Sequence, residues 1–237
     1  MCGRAYSTYT DEELHFRYLN RKGWRWPVNS SIPSSPPNYN MCPTQLSLVL
    51  SVSDGALSFR LMRWGLVPGW AKTVKDADKY SMINAKSEEV TEKRSFKSAF
   101  QKRRCIVPVS GFYEWKRSGD SKQPYAIHLK DEPIMSLAGV WEHWESKENG
   151  EIVDSFCLMT TAANSFMREI HTRMPVILSP EQEQDWLDPE ITDSSETFPL
   201  LAPCEPELLT AYPVSALVNS PKNNSPKLLE PLELSSK

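Results

Sequence analysis

The 237-residue chain reads as an α+β protein, built mainly from antiparallel β-sheets in a barrel- or sandwich-like arrangement with peripheral helices. Three observations lead there. Seven short apolar runs are each bounded by turn residues, which is the pattern of strands. Few helical patterns lie between consecutive runs, which argues against an alternating βαβ array. The length suffices for one sizeable core, and 40% hydrophobic with 24% charged residues is a globular composition.

Taken in order, Asp11-Glu12-Glu13-Leu14 opens a short helix with Thr10 or Asp11 as its cap. The Pro/Ser/Asn-rich stretch 27–43 reads as a surface loop. Strands are expected over 45–52, 57–64, 104–109, 125–129, 134–144, 153–161 and 209–214. Helices are expected over 95–101 and 180–187, the second capped by Ser179. From Pro226 the chain should be a poorly anchored tail, giving one domain over 1–226 and a tail over 227–237.

The net charge of −3 conceals an asymmetry. Residues 60–117 hold 14 Lys/Arg against 6 Asp/Glu, and residues 181–237 hold 3 against 11. A basic centre in an acidic chain points to a localised polyanion site. Trp64, Trp70, Phe112, Tyr113 and Trp115 interleave with these cations. Bases stack on such rings while cations hold phosphates, which favours nucleic acid over a merely solvated face. Cys2, Cys42, Cys105, Cys157 and Cys204 are odd in number and show no CxxC spacing; a disulfide framework or a zinc site is not expected. No run of eighteen apolar residues and no apolar leader core is present. The expectation is a cytoplasmic protein sharing a compartment with DNA, associated with the nucleoid when bound, and no membrane partner.

The N-terminus reads Met1-Cys2-Gly3-Arg4. Initiator methionine is normally removed before a small second residue, leaving an amine and a thiol on one residue. Such an aminothiol condenses with an aldehyde to an imine, which the thiol closes into a thiazolidine. An α-amine titrates at about 7.7–8.0, so a usable fraction is neutral at pH 7. Arg4 is expected to favour the neutral amine and the thiolate alike. An N-terminal nucleophile hydrolase is the related catalytic alternative.

Three further segments bear on Cys2. Ser110-Gly111-Phe112-Tyr113-Glu114-Trp115 sets a carboxylate among aromatic residues. Partial desolvation there suits Glu114 to acid/base work; the alternative is a strand-end acid paired with Lys116 or Arg103. Ile170-His171-Thr172-Arg173-Met174-Pro175 places a histidine in a loop, whereas His128 and His143 fall in strand-like runs. In Met82-Ile83-Asn84-Ala85-Lys86, Asn84 offers an amide to orient an amine or carbonyl.

Together with Asn40-Met41-Cys42-Pro43, Arg63-Trp64-Gly65-Leu66-Val67-Pro68, Arg104-Cys105-Ile106-Val107-Pro108 and Val218-Asn219-Ser220-Pro221-Lys222-Asn223-Asn224-Ser225-Pro226, these segments occur in one order along the chain. The sequence closely resembles the SRAP family, the SOS response-associated peptidases or abasic-site processing proteins, as a bacterial-type single-domain member. The resemblance runs from Cys2 to about Pro226. It implies a β-rich α+β domain with a positively charged DNA channel, and covalent capture of abasic sites in single-stranded DNA, including junctions with duplex, by a monomer. It implies catalytic roles for Cys2, Asn84, Glu114 and His171. It places Arg4, Asn40, Trp70, Lys86, Trp115 and Thr161 at or near DNA; Arg103 and Arg104 are further candidates for backbone phosphates. No metal or organic cofactor is implied. Lys86 stands where many relatives have Arg, which replaces a forked contact by a point charge. Cys42 replaces a common Ala and reads as a packing change, with a second thiol near the site as the alternative. An imine intermediate also admits weak lyase activity. Two other readings compete: a thiol peptidase acting at Met1 through Cys2, His171 and Glu114, and a non-covalent reader of modified bases.

Overall fold

A computed structural model describes residues 2–233. The expected loss of Met1 and the last four residues of the expected tail lie outside the described residues. The chain runs through β1 (Ala5–Ser7), α1 (Asp11–Leu14), which passes into a π-helical turn (His15–Leu19), then β2 (Asn38–Met41), β3 (Leu46–Ser53) and β4 (Ala56–Trp64). After α2 (Val74–Asp78) come β5 (Asn84–Lys86), α3 (Arg94–Lys102), β6 (Arg104–Val109), β7 (Gly111–Ser118) and β8 (Ser121–Leu129). Next are β9 (Met135–Glu145), β10 (Ile152–Ala162), α4 (Ser165–Arg168), β11 (Arg173–Pro175) and β12 (Ile177–Leu178). The series ends with α5 (Pro180–Leu187), α6 (Ser194–Thr197) and β13 (Leu209–Pro213).

Local chemistry explains the longer elements. In β4, Leu57 and Phe59 are buried on one face and Met62 and Trp64 on the other, the alternation of a strand covered on both sides. Asp54 and Gly55 both take positive φ between β3 and β4, the two-residue hairpin that Asp-Gly favours. Thr10 and Glu13 form a capping box on α1, and Ser179 with Gln182 does so on α5, with Pro180 in its first turn.

Two sheets result. One has the order β13-β8-β7-β1-β2. The second is mixed and its pairing closes on itself: β10 joins β4 in parallel, and β4-β3, β3-β6, β6-β9 and β9-β10 are antiparallel. This five-stranded ring matches the α+β, barrel-like expectation. The inner faces of both sheets share a core that includes Met41, Val49, Trp64, Phe112, Ile127, Phe156, Leu158 and Met174. Trp64 and Phe156 stack at 6.3 Å and 9°, and burying side chains of this size contributes about 1.5–3 kcal/mol each.

Several expectations need correcting. The loop expected over 27–43 contains β2, because Asn38–Met41 pairs with β1. The stretch around Glu114 forms a full strand, β7, between β1 and β8. Gly111 is required there: a Cβ would sit 2.2 Å from the Tyr6 hydroxyl and 2.4 Å from Ile127 O. The tail expected from Pro226 is anchored as far as Leu232. Leu228 is buried against Tyr6, Tyr113 and Val218, and Leu232 N–H donates to Pro213 O at 2.8 Å.

Candidate active site

Cys2 precedes β1 and is fully buried between the sheets. The pairing of β1 with β7, continued by Tyr113 N–H to Arg4 O, lays Cys2–Arg4 beside the middle of β7. Glu114 is thereby brought in from β7, itself 3% exposed. From the second sheet comes Asn84, whose strand β5 is held parallel to β10 by the pairing of Asn84 with Leu158. Its Nδ2 donates to the carbonyl of Cys2 at 2.8 Å. Its Oδ1 is buried and has no hydrogen-bond partner among the described residues, so it remains to receive an incoming donor.

His171 lies in the turn between α4 and β11. Arg173 N–H lies 3.0 Å from its Nδ1, and Arg173 O lies 3.1 Å from the same atom. One nitrogen cannot both accept and donate there. The Arg173 N–H donates to Nδ1. Arg173 is held by Glu88 through two bonds of 2.5 and 2.9 Å and donates to Thr160 O at 2.7 Å. That pairing holds the Glu88 carboxyl below the usual carboxylate range. Glu114 and His171 both line a cleft of about 410 Å³ with Trp115, Arg117, Lys122 and Asn219.

Burial, reinforced by the charge of Glu114, pushes the Cys2 thiol up to about 12. This corrects the expectation that Arg4 favours the thiolate. The Arg4 guanidinium instead donates to Asn40 Oδ1 at 2.8 Å and Val218 O at 2.6 Å. Asn40 is buried, and its amide donates to Val218 O, Ser220 O and Asn223 O at 3.3, 3.0 and 2.8 Å. Its side chain therefore fastens the 216–223 segment beside the site and has no group left for DNA. Cys42 is buried with its thiol donating to Asn40 O at 3.0 Å, a packing arrangement.

The other residues expected at DNA divide by exposure. Trp70 is 39% exposed and meets Tyr80 edge-on, with ring centroids 5.6 Å apart. Trp115 donates from its indole to Asn219 Oδ1 at 2.8 Å. Lys86 is exposed and paired with Glu89 at 2.9 Å. Thr161 is buried in β10 opposite Met174. Arg103 pairs with Glu142 at 2.8 Å, not with Glu114. Arg104 is buried, and its guanidinium donates to the carbonyls of Trp186, Phe100, Gln101, Asp188 and Ile191. It is a structural cation with no donor to spare, which corrects its assignment to a phosphate. Arg117, Lys122, Asn219 and Tyr80 were not legible as site residues. Period-two alternation along β7 and β8 is the signal that groups Trp115, Arg117 and Lys122.

Comparison with known proteins bears on the family and the fold. A family model described as SOS response associated peptidase (SRAP) matches residues 1–221. The abasic site processing protein YoaM of Bacillus subtilis is 44% identical over 237 residues, covering 97% of this chain and 98% of its own. YoqW, of the same description and organism, is 45% identical over 197 residues, covering 82% and 86%. A crystal structure of a protein from Bacteroides thetaiotaomicron superposes with a TM-score of 0.83 at 30% identity, covering 98% of this chain and all of that one.

Proposed function

From its membership of the SRAP family, to which this chain belongs, we propose that the protein processes abasic sites in DNA, capturing them covalently through Cys2 in single strands. The observation that carries this reading is the bond from Asn84 to the Cys2 carbonyl, with buried Glu114 at the cysteine's other side.

The reaction requires Met1 to be absent. Glu114 and His171 move protons at the ring oxygen and the C1′ hydroxyl, which opens the sugar to its aldehyde. The Cys2 amine adds to C1′, forming the N–C bond while the carbonyl oxygen takes a proton. That hydroxyl then leaves as water with a proton from Glu114, giving the imine. The Cys2 sulfur adds to C1′ and its proton ends on the ring nitrogen. The balance is aldehyde plus aminothiol to thiazolidine plus water. A thiol held near 12 adds only as its proton leaves, so Glu114 serves first as acid and then as base. Holding both partners makes a bimolecular condensation unimolecular. Slow ring closure would leave the imine open to β-elimination, a weak lyase activity.

A thiol peptidase needs its sulfur ionised near neutrality. The Cys2 thiol is shifted the other way, so a peptidase would also need a base to take its proton; peptide cleavage in trans by the purified protein would support that reading. Intact mass analysis after incubation with an abasic single-stranded oligonucleotide tests the proposal. The expected product has lost Met1 and gained the oligonucleotide less one water. Cys2→Ala keeps the amine and should yield no heat-stable adduct without reductant; a stable adduct from that variant rejects ring closure.

A further inference from the structure

The hairpin joining β7 to β8 carries two cations that face each other, since Arg117 and Lys122 are cross-strand partners. Like charges directly opposite on an antiparallel pair are destabilising. Both residues are exposed. Some cations of the basic centre have acidic partners, Arg63 with Asp78, Lys86 with Glu89 and Arg103 with Glu142. Among the described residues Arg117 and Lys122 have none, and the intervening Asp120 pairs with neither. An anion lying between them would turn their repulsion into attraction.

The same two residues line the cleft that holds Glu114 and His171. Past Tyr113, β7 is paired on its β8 side alone among the described residues, so the hairpin projects beyond Cys2. The rise of an extended strand puts the Cα of Arg117 about 10 Å from that of Glu114; alternation sends the two side chains to opposite faces of β7, and it is at the cleft both residues line that they come together. Resting on the function proposed above, we propose that Arg117 and Lys122 clamp a backbone phosphate of the DNA strand beside the sugar captured at Cys2. Arg117 supplies a forked donor and Lys122 a mobile point charge.

The test uses the full chain with its native N-terminus and an Arg117→Gln/Lys122→Gln variant. The first probe is a single-stranded oligonucleotide carrying a tetrahydrofuran, which has no aldehyde and cannot react. The variant should bind about tenfold more weakly at moderate salt, with a log–log salt slope flatter by about 0.7 for the lost phosphate contact. Unchanged affinity and slope overturn the proposal. An equal loss in Lys22→Gln/Lys147→Gln, which removes the same charge from other exposed positions, overturns it as well. The second probe is free 2-deoxyribose, which has the aldehyde but no phosphate. Its adduct should form equally fast on variant and wild type; a parallel loss assigns the hairpin to shaping the catalytic cleft and overturns the phosphate site. If wild type gives no adduct with deoxyribose or with abasic DNA, the covalent mechanism fails, and the tetrahydrofuran comparison still decides the anion site.

Discussion

The side-chain amide of Asn84 holds the backbone carbonyl of Cys2 at 2.8 Å, across 82 residues of sequence. This bond joins the two sheets at the reactive residue and sets the direction of its main chain. Asn84→Ala should slow adduct formation about tenfold at a stability cost of about 1 kcal/mol, the usual net worth of such a bond. Single-turnover kinetics alongside denaturant melts check it. A full stability loss with an unchanged rate would make the bond structural.

The Cys2 thiol gives a pH signature. Its value rises from 9.0 to about 12 on folding, so the folded state favours the protonated form. The corresponding stability is complete below pH 9 and is lost as pH climbs toward 12. Relative to Cys2→Ala, wild type should lose about 2 kcal/mol between pH 9 and 10.5, read from paired urea melts. The thiol of the folded protein should also resist alkylation at pH 7.5.

Arg173 positions His171 through its backbone, and Glu88 holds Arg173. Arg173→Ala should slow adduct formation more than Glu88→Gln, because it also frees Thr160 O. The Glu88 carboxyl is depressed on folding, chiefly by its bond to Arg173. Its contribution is therefore present above pH 4.5 and fades as pH falls through the lower folded value. With the Glu88 side chain 54% exposed, that contribution should stay below about 1 kcal/mol. Acid titration of wild type against Glu88→Gln measures it.

Arg104→Ala separates a structural cation from a phosphate contact. Removing the guanidinium strands five carbonyl contacts around it, at a cost of about 3 kcal/mol or more. Folded protein at low temperature should keep the wild-type salt dependence of DNA binding. A flatter slope would return Arg104 to the DNA.

Most elements with enough residues to show a period were legible, though the eight-residue β7 was not. α5 begins and ends where Ser179, Pro180 and the apolar pattern put it, and β8, β9, β10 and β13 follow their apolar runs within a few residues. The short strands were not. β1, β5 and β11 have three residues each, too few for alternation, and they exist because a distant strand supplies their hydrogen bonds. Cys2 and Asn84 sit at exactly such strands, so their meeting was invisible locally.

What the sequence by itself determined is the chemistry on offer: a cysteine at position two, an acid among aromatic residues, a histidine in a loop and a basic central region. Tertiary structure decided which of those groups can act. Pairing of β1 with β7 buried Cys2 beside Glu114 and so kept its sulfur protonated, while neighbouring carbonyls consumed Arg104 and the 216–223 segment consumed Asn40. Residue type is a local property. Burial and hydrogen-bond partners are sums over chain segments far apart in sequence, and they set protonation and availability.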